Sequence, residues 1–159
     1  MKRSYQQQVV DKIQSLEQEL AQFVEVEQYG QLSIESSRYP LLVIRSKHFD
    51  DNKPTVLVTG GVHGYETSGV QGALLFVKTE LTRFLEQFNF IVFPCVSPWG
   101  YETINRWNPK AVDPNRSFSE GSPSEEASAV MAYCKSQKIT PICHIDLHET
   151  TDSDNAEFR

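Results

Sequence analysis

The sequence predicts an α/β fold: a mixed, centrally parallel sheet flanked by helices. Three observations carry this. Val56-Leu57-Val58 is an apolar, largely β-branched run that stops at Gly60-Gly61, as a buried strand would. Val70, Leu74, Val77, Leu81 and Leu85 then recur at helical spacing, before a second apolar run, Phe90-Ile91-Val92-Phe93. A strand, a crossover helix and another buried strand make a βαβ unit, and hence a parallel pair.

The remaining elements fit around that unit. Val9, Ile13, Leu16, Leu20 and Phe23 predict an amphipathic helix over residues 5–25, packed on its own domain rather than on a partner. Leu32-Ser33-Ile34-Glu35 alternates and predicts a half-exposed strand. Pro40 disfavours helix at Tyr39, so Arg38-Tyr39-Pro40 reads as a turn, and Leu41-Leu42-Val43-Ile44 as a second strand. The two would form an antiparallel edge. A polar loop, Asp50-Asp51-Asn52-Lys53-Pro54, leads to the central strand.

The crossover helix is expected over residues 67–88. Gly69 and Gly72 weaken its start but let it lie close against the sheet. Residues 97–123 show little periodicity, and loops this long in compact domains are usually functional or disordered. Trp99, Tyr101, Trp107 and Phe118 give this one apolar mass, which argues for order. Ser122-Pro123-Ser124-Glu125-Glu126 opens a helix that runs to about Gln137 and buries Ala127, Val130, Met131 and Cys134. The last strand spans residues 141–148 and ends in Glu149-Thr150-Thr151-Asp152.

Length and charge bound the function. A chain of 159 residues is read as one domain, 1–159, able to bury a real core. Its formal net charge of -6 argues against a general nucleic-acid binder. Cys95, Cys134 and Cys143 are odd in number and lack CxxC spacing, so they are expected to be reduced, mostly buried thiols, as suits a cytoplasmic protein. The basic residues near Met1 have no apolar segment behind them, and no apolar run approaches the ~18 residues of a membrane span. The oligomeric state is left open.

Ligands in open α/β sheets sit outside the carboxyl ends of strands. Two such ends offer His63 and Glu66, and then His148. Two neutral imidazoles and a carboxylate suit zinc, and three protein ligands with one open position define a catalytic zinc site. Read alone, the same residues are equally a loop histidine, a helix-opening glutamate and a strand-end histidine bonded to backbone. Asp146 lies two residues before His148 and shares its face of a regular strand, so it could orient that histidine. In the long loop, Asn115 and Arg116 could clamp a carboxylate, and Arg106 could stabilise charge on a carbonyl oxygen. Each arginine is also readable as a solvated loop charge.

His63-Gly64-Tyr65-Glu66, Ser97-Pro98-Trp99-Gly100, Asp113-Pro114-Asn115-Arg116 and Asp146-Leu147-His148 occur in that order. In this the chain resembles the zinc carboxypeptidase superfamily, which includes succinylglutamate desuccinylase and aspartoacylase, over residues 55–152. The resemblance implies a phosphorylase/hydrolase-like sheet and one zinc ion held by His63, Glu66 and His148. It implies a substrate carboxylate gripped by Asn115 and Arg116, and a scissile carbonyl polarised by Arg106.

The implied activity is hydrolysis of an amide or peptide bond beside a free carboxylate, in a peptide or a small molecule. An N-acyl amino acid deacylase is the alternative, and a non-catalytic carboxylate-binding module is another of a different class. Tyr65 and the Ser97-Pro98-Trp99-Gly100 run depart from the superfamily's usual residues, so the pocket wall is expected to differ. The superfamily's general base, a glutamate on a later strand, is expected beyond Arg159, with this chain the N-terminal part of a longer enzyme. Glu149 is the nearest substitute, although it points to the opposite face from His148 in a regular strand.

Overall fold

A computed structural model describes residues 3–149. Five strands form one mixed sheet: β1 (Val24–Gln31), β2 (Pro40–Ser46), β3 (Thr55–Gly60), β4 (Asn89–Phe93) and β5 (Cys143–Leu147), in the order β1-β2-β4-β3-β5. β3 pairs in parallel with both β4 and β5, whereas β2 pairs antiparallel with β1 and with β4. The parallel centre and antiparallel edge are those the sequence predicts.

Side-chain alternation along the central strands divides the core. Val56, Val58, Phe90 and Val92 face helices α1 (Asp11–Glu19) and α2 (Thr67–Thr79), against Ile13, Leu16, Val70, Leu74 and Val77. Leu57, Ile91 and Phe93 face the other way, onto Val130 and Tyr133 of α4 (Glu125–Ser136). Both faces of the sheet are thus covered, which is why its central strands read as continuous apolar runs. The close packing of α2 on the sheet depends on Gly69: a Cβ there would lie 2.2 Å from the carbonyl oxygen of Leu147.

Several expected boundaries move. The first helix, a π-helical turn at Gln6–Val10 continued by α1, ends at Glu19 rather than near residue 25. Val24-Glu25-Val26-Glu27 begins β1, so the edge strand lies eight residues before the one predicted at Leu32–Glu35. Phe23 continues the helical spacing, but it is 44 % exposed, and the β-branched valines after it pair with β2. Leu32 to Tyr39 is instead the connection between β1 and β2, with Glu35 at a positive φ of 46°.

The crossover helix stops at Thr79 and is continued by a 3-10 turn, Leu81–Phe84, which still buries Leu81. The long irregular stretch contains a short helix, α3 (Pro98–Thr103), and a 3-10 turn, Pro114–Arg116. α4 buries Glu126 and Tyr133 alongside Ala127 and Val130, while Met131 and Cys134 are only partly covered. Of the three free cysteines, Cys95 is buried, Cys134 intermediate and Cys143 exposed, which corrects the expectation of mostly buried thiols. Cys143 lies on the sheet-edge strand β5, where its side chain has no covering layer among the described residues. No helix among the described residues is long and apolar enough to cross a membrane.

Candidate metal centre

β3 ends at Gly60, and Gly61, at a φ of 59°, turns the chain out of the sheet. The turn is held from behind by the segment after β4. The amides of Val96 and Ser97 donate to the carbonyls of Gly60 and Gly61, and the Ser97 hydroxyl donates to that of Val62 at 2.6 Å. Gly64 then packs on Gly100 so closely that a Cβ would lie 2.1 Å from backbone atoms of Gly100 and Tyr101. The Ser97-Pro98-Trp99-Gly100 run therefore supports the backbone of the His63 turn, a role the sequence reading did not give it.

This support fixes His63 and Glu66, only 3 % and 2 % exposed. His148 stands just beyond the end of β5, its side chain 32 % exposed. The three predicted ligands come together. One candidate donor atom from each of His63, Glu66 and His148 lies within 4.8 Å of the others. His63 Nδ1 is 2.8 Å from Glu66 Oε1, and His148 Nδ1 is 2.8 Å from Glu66 Oε2.

The far nitrogens are engaged as well. His63 Nε2 lies 3.1 Å from Asp113 Oδ1, and His148 Nε2 lies 2.7 Å from Asp146 Oδ2. An ionised carboxylate only accepts hydrogen bonds, and each imidazole meets one at both nitrogens; with a metal ion at Nδ1 the proton is left on Nε2, which donates to Asp113 or Asp146. In the neutral imidazole this leaves the Nδ1 lone pair directed at Glu66. Two lone pairs and a carboxylate facing one another across 2.8 Å need a cation between them. A proton can serve, and accordingly His148 is more basic than an ordinary histidine: its partial burial opposes this, but Asp146 and Glu66 outweigh it. A divalent ion can serve as well, because nitrogen and oxygen donors from three residues come within 4.8 Å of one another. The donor set fits zinc.

Asp113 is the residue whose role the sequence reading missed. It caps the 3-10 turn Pro114–Arg116 by accepting the Asn115 amide at 2.9 Å, through the same oxygen that receives His63. Its other oxygen lies 3.5 Å from Arg106 Nε. Arg106 Nη1 lies 3.5 Å from the Tyr65 hydroxyl, and the Tyr65 ring stacks on His63 at a centroid distance of 6.2 Å. Arg106 is thus brought beside the centre. An Asp-Pro pair before a short turn is a recognisable cap, but nothing local to it points at a histidine fifty positions away in sequence. Asn115 is half-buried and Arg116 exposed, and neither side chain makes a hydrogen bond or ion pair among the described residues.

Glu149 turns away. Its Oε2 accepts the backbone N–H and the hydroxyl of Ser68, at 3.0 and 2.6 Å, in the first turn of α2. Those bonds hold its carboxyl below the usual glutamate range.

The zinc carboxypeptidase family matches residues 9–142 of the chain. The chain belongs to this family. Among curated proteins none matches it by sequence. Solved structures of similar fold include a candidate metallopeptidase of Shewanella amazonensis SB2B, at 22 % identity and a TM-score of 0.70 over 84 % of this chain and 51 % of that one. A metallo-carboxypeptidase of Burkholderia cenocepacia is similar at 20 % identity and a TM-score of 0.76, over 93 % of this chain and 41 % of that one. Bovine thrombin-activatable fibrinolysis inhibitor, solved with a tick carboxypeptidase inhibitor, is similar at 20 % identity and a TM-score of 0.73, over 95 % of this chain and 62 % of that one. The chain spans about half the length of the first of these matches, 51 %. His63, Glu66 and His148, the group able to hold a metal ion, lie at the carboxyl ends of two parallel strands, β3 and β5, with His148 beyond the residues that the family matches.

Proposed function

We propose that the protein is a zinc-dependent hydrolase of the metallocarboxypeptidase type, cleaving an amide bond next to a free carboxylate. One observation carries the proposal: two imidazoles direct Nδ1 at the two oxygens of Glu66, each with its Nε2 tied to a further carboxylate. Zinc bound there supplies Lewis acidity towards a carbonyl and makes water more acidic.

The chain's own residues hold and orient. His63, Glu66 and His148 are the ligands, and Asp113 and Asp146 keep their imidazole protons on Nε2. Arg106, tied to Asp113 beside His63, stabilises negative charge that develops on the carbonyl oxygen. Asn115 and Arg116 follow Asp113 on the same turn and grip the substrate carboxylate through the guanidinium fork and the amide. The exposure of Arg116 supports this role. Glu149 is committed to Ser68, so we assign the general base outside residues 3–149. A single metallohydrolase domain over residues 1–159 and a cytoplasmic location belong to the same proposal, the latter supported by three unpaired thiols.

The test supplies the protein with zinc and offers an N-blocked dipeptide as the free acid and as its C-terminal amide. Cleavage of the acid and not the amide, with KM raised in Arg116→Ala, is the expected result. Cleavage confined to N-acetyl or N-succinyl amino acids would move the assignment to an acyl amino acid deacylase. Binding of these carboxylates without turnover, unchanged by removal of zinc, would make the protein a binding module instead.

A further inference from the structure

The two histidines of the centre are secured differently. His63 is enclosed, and its partner Asp113 is fixed by the turn that it caps. His148 lies past the last ladder residue of β5, on a strand at the edge of the described sheet, and its orientation depends on Asp146. Something must in turn hold Asp146.

Thr59 does so. It lies on the central strand β3, is 1 % exposed, and is the register partner of Asp146. Its Oγ1 is 2.7 Å from Asp146 Oδ1 and 2.8 Å from His144 Nε2. A hydroxyl has one proton. Asp146, as a carboxylate, accepts only, so Thr59 donates to it and His144 Nε2 donates to Thr59. Asp146 then accepts at both oxygens, from Thr59 on one side and from His148 on the other. The hydrogen bonds run in one consistent direction from His144 to the carboxylate, and with His148 Nε2 donating to Asp146 the Nδ1 lone pair is available to a metal ion on the side of Glu66.

A buried threonine in a strand would ordinarily be explained by its branched shape, for which valine serves as well. Here the hydroxyl is used twice, and both uses lead toward the centre. We propose that Thr59 is a positioning residue for the metal site: with His144 as its own donor, it pins Asp146 and so sets the orientation and tautomer of His148. The inference rests on reading His63, Glu66 and His148 as a metal site.

The experiment measures Zn2+ affinity by chelator competition, and the Co2+ absorption spectrum, for the whole chain and its variants. Thr59→Val should weaken zinc about 10- to 100-fold, the range for loss of a group that orients a ligand, and alter the cobalt spectrum. Thr59→Ser, which restores the hydroxyl, should return affinity to within about threefold of the parent. In an Asp146→Ala background the further change Thr59→Val should have no effect on affinity, because the two act through one path. Should Thr59→Val fail to fold, Thr59→Ala, which also lacks the donor, is expected to show a loss in the same direction. Parent-like affinity and spectrum in a folded Thr59→Val or Thr59→Ala variant would overturn the inference. A parent chain that binds neither metal would instead overturn the metal-site reading itself.

Discussion

His63 and Asp113, fifty positions apart in the chain, meet at 3.1 Å between Nε2 and Oδ1. The contact joins the turn after β3 to the 3-10 turn that carries Asn115 and Arg116. One carboxylate thereby meets the His63 imidazole, caps a turn and approaches Arg106.

Asp113→Ala should therefore do more than remove a surface charge. Zinc affinity is expected to fall about 10- to 100-fold, as when an orienting carboxylate is lost. Loss of the cap should cost about 1 kcal/mol of stability. Chelator competition and denaturant unfolding check the two parts separately.

The His63 turn should be intolerant of any side chain at Gly64. A methyl group there would lie 2.1 Å from the backbone of Gly100 and Tyr101, and backbone has little room to retreat. Gly64→Ala is expected to destabilise by about 3 kcal/mol, as severe overpacking does. Gly72, inside α2, would bring a Cβ no nearer than 3.7 Å to Leu147. Gly72→Ala should stabilise by about 1 kcal/mol through helix propensity. The midpoints of urea unfolding should move in opposite directions for the two variants.

Metal binding should depend on pH through His148. Proton and metal compete for Nδ1, and Asp146 and Glu66 raise this group's proton affinity despite the opposing burial. The competition therefore begins at a higher pH than for an ordinary histidine. Below that pKa, zinc affinity should fall by about tenfold per pH unit for each proton displaced. Titrations with zinc from pH 8 to pH 5 would show this, and a flat profile would count against it.

Stability should have an acid-sensitive component at Glu125. Lys110 and Ser33 hold its carboxyl down to about 2, from a usual 4.5. The folded value is the lower one, so the stabilisation is present above pH 4.5 and is lost as pH falls towards 2. The side chain is 32 % exposed, so solvent screening leaves about 1 kcal/mol. Glu125→Gln should be less stable than the parent by about that much at pH 6, with the gap closing by pH 2. Thermal melts at the two pH values check it.

The central βαβ unit was legible because Val56-Leu57-Val58 and Phe90-Ile91-Val92-Phe93 are buried on both faces. The meeting of His63, Glu66 and His148 was legible because they stand at the ends of such strands. β1 was not, since Phe23 extends the helical spacing into Val24 and only pairing with β2 shows that the helix has stopped. Asp113 and Thr59 were missed for a related reason. Their roles are contacts across fifty and eighty-seven positions, and such contacts leave no local pattern. Glu149 sits beside a ligand in sequence yet serves Ser68, because successive residues of an extended chain face opposite ways.

The most direct test is equilibrium dialysis of the protein against zinc, with the bound metal counted. One zinc ion per chain is expected for the parent, and none after His63→Ala, Glu66→Ala or His148→Ala at the same free zinc. A parent that takes up no zinc, or variants that still bind one ion each, would contradict the account.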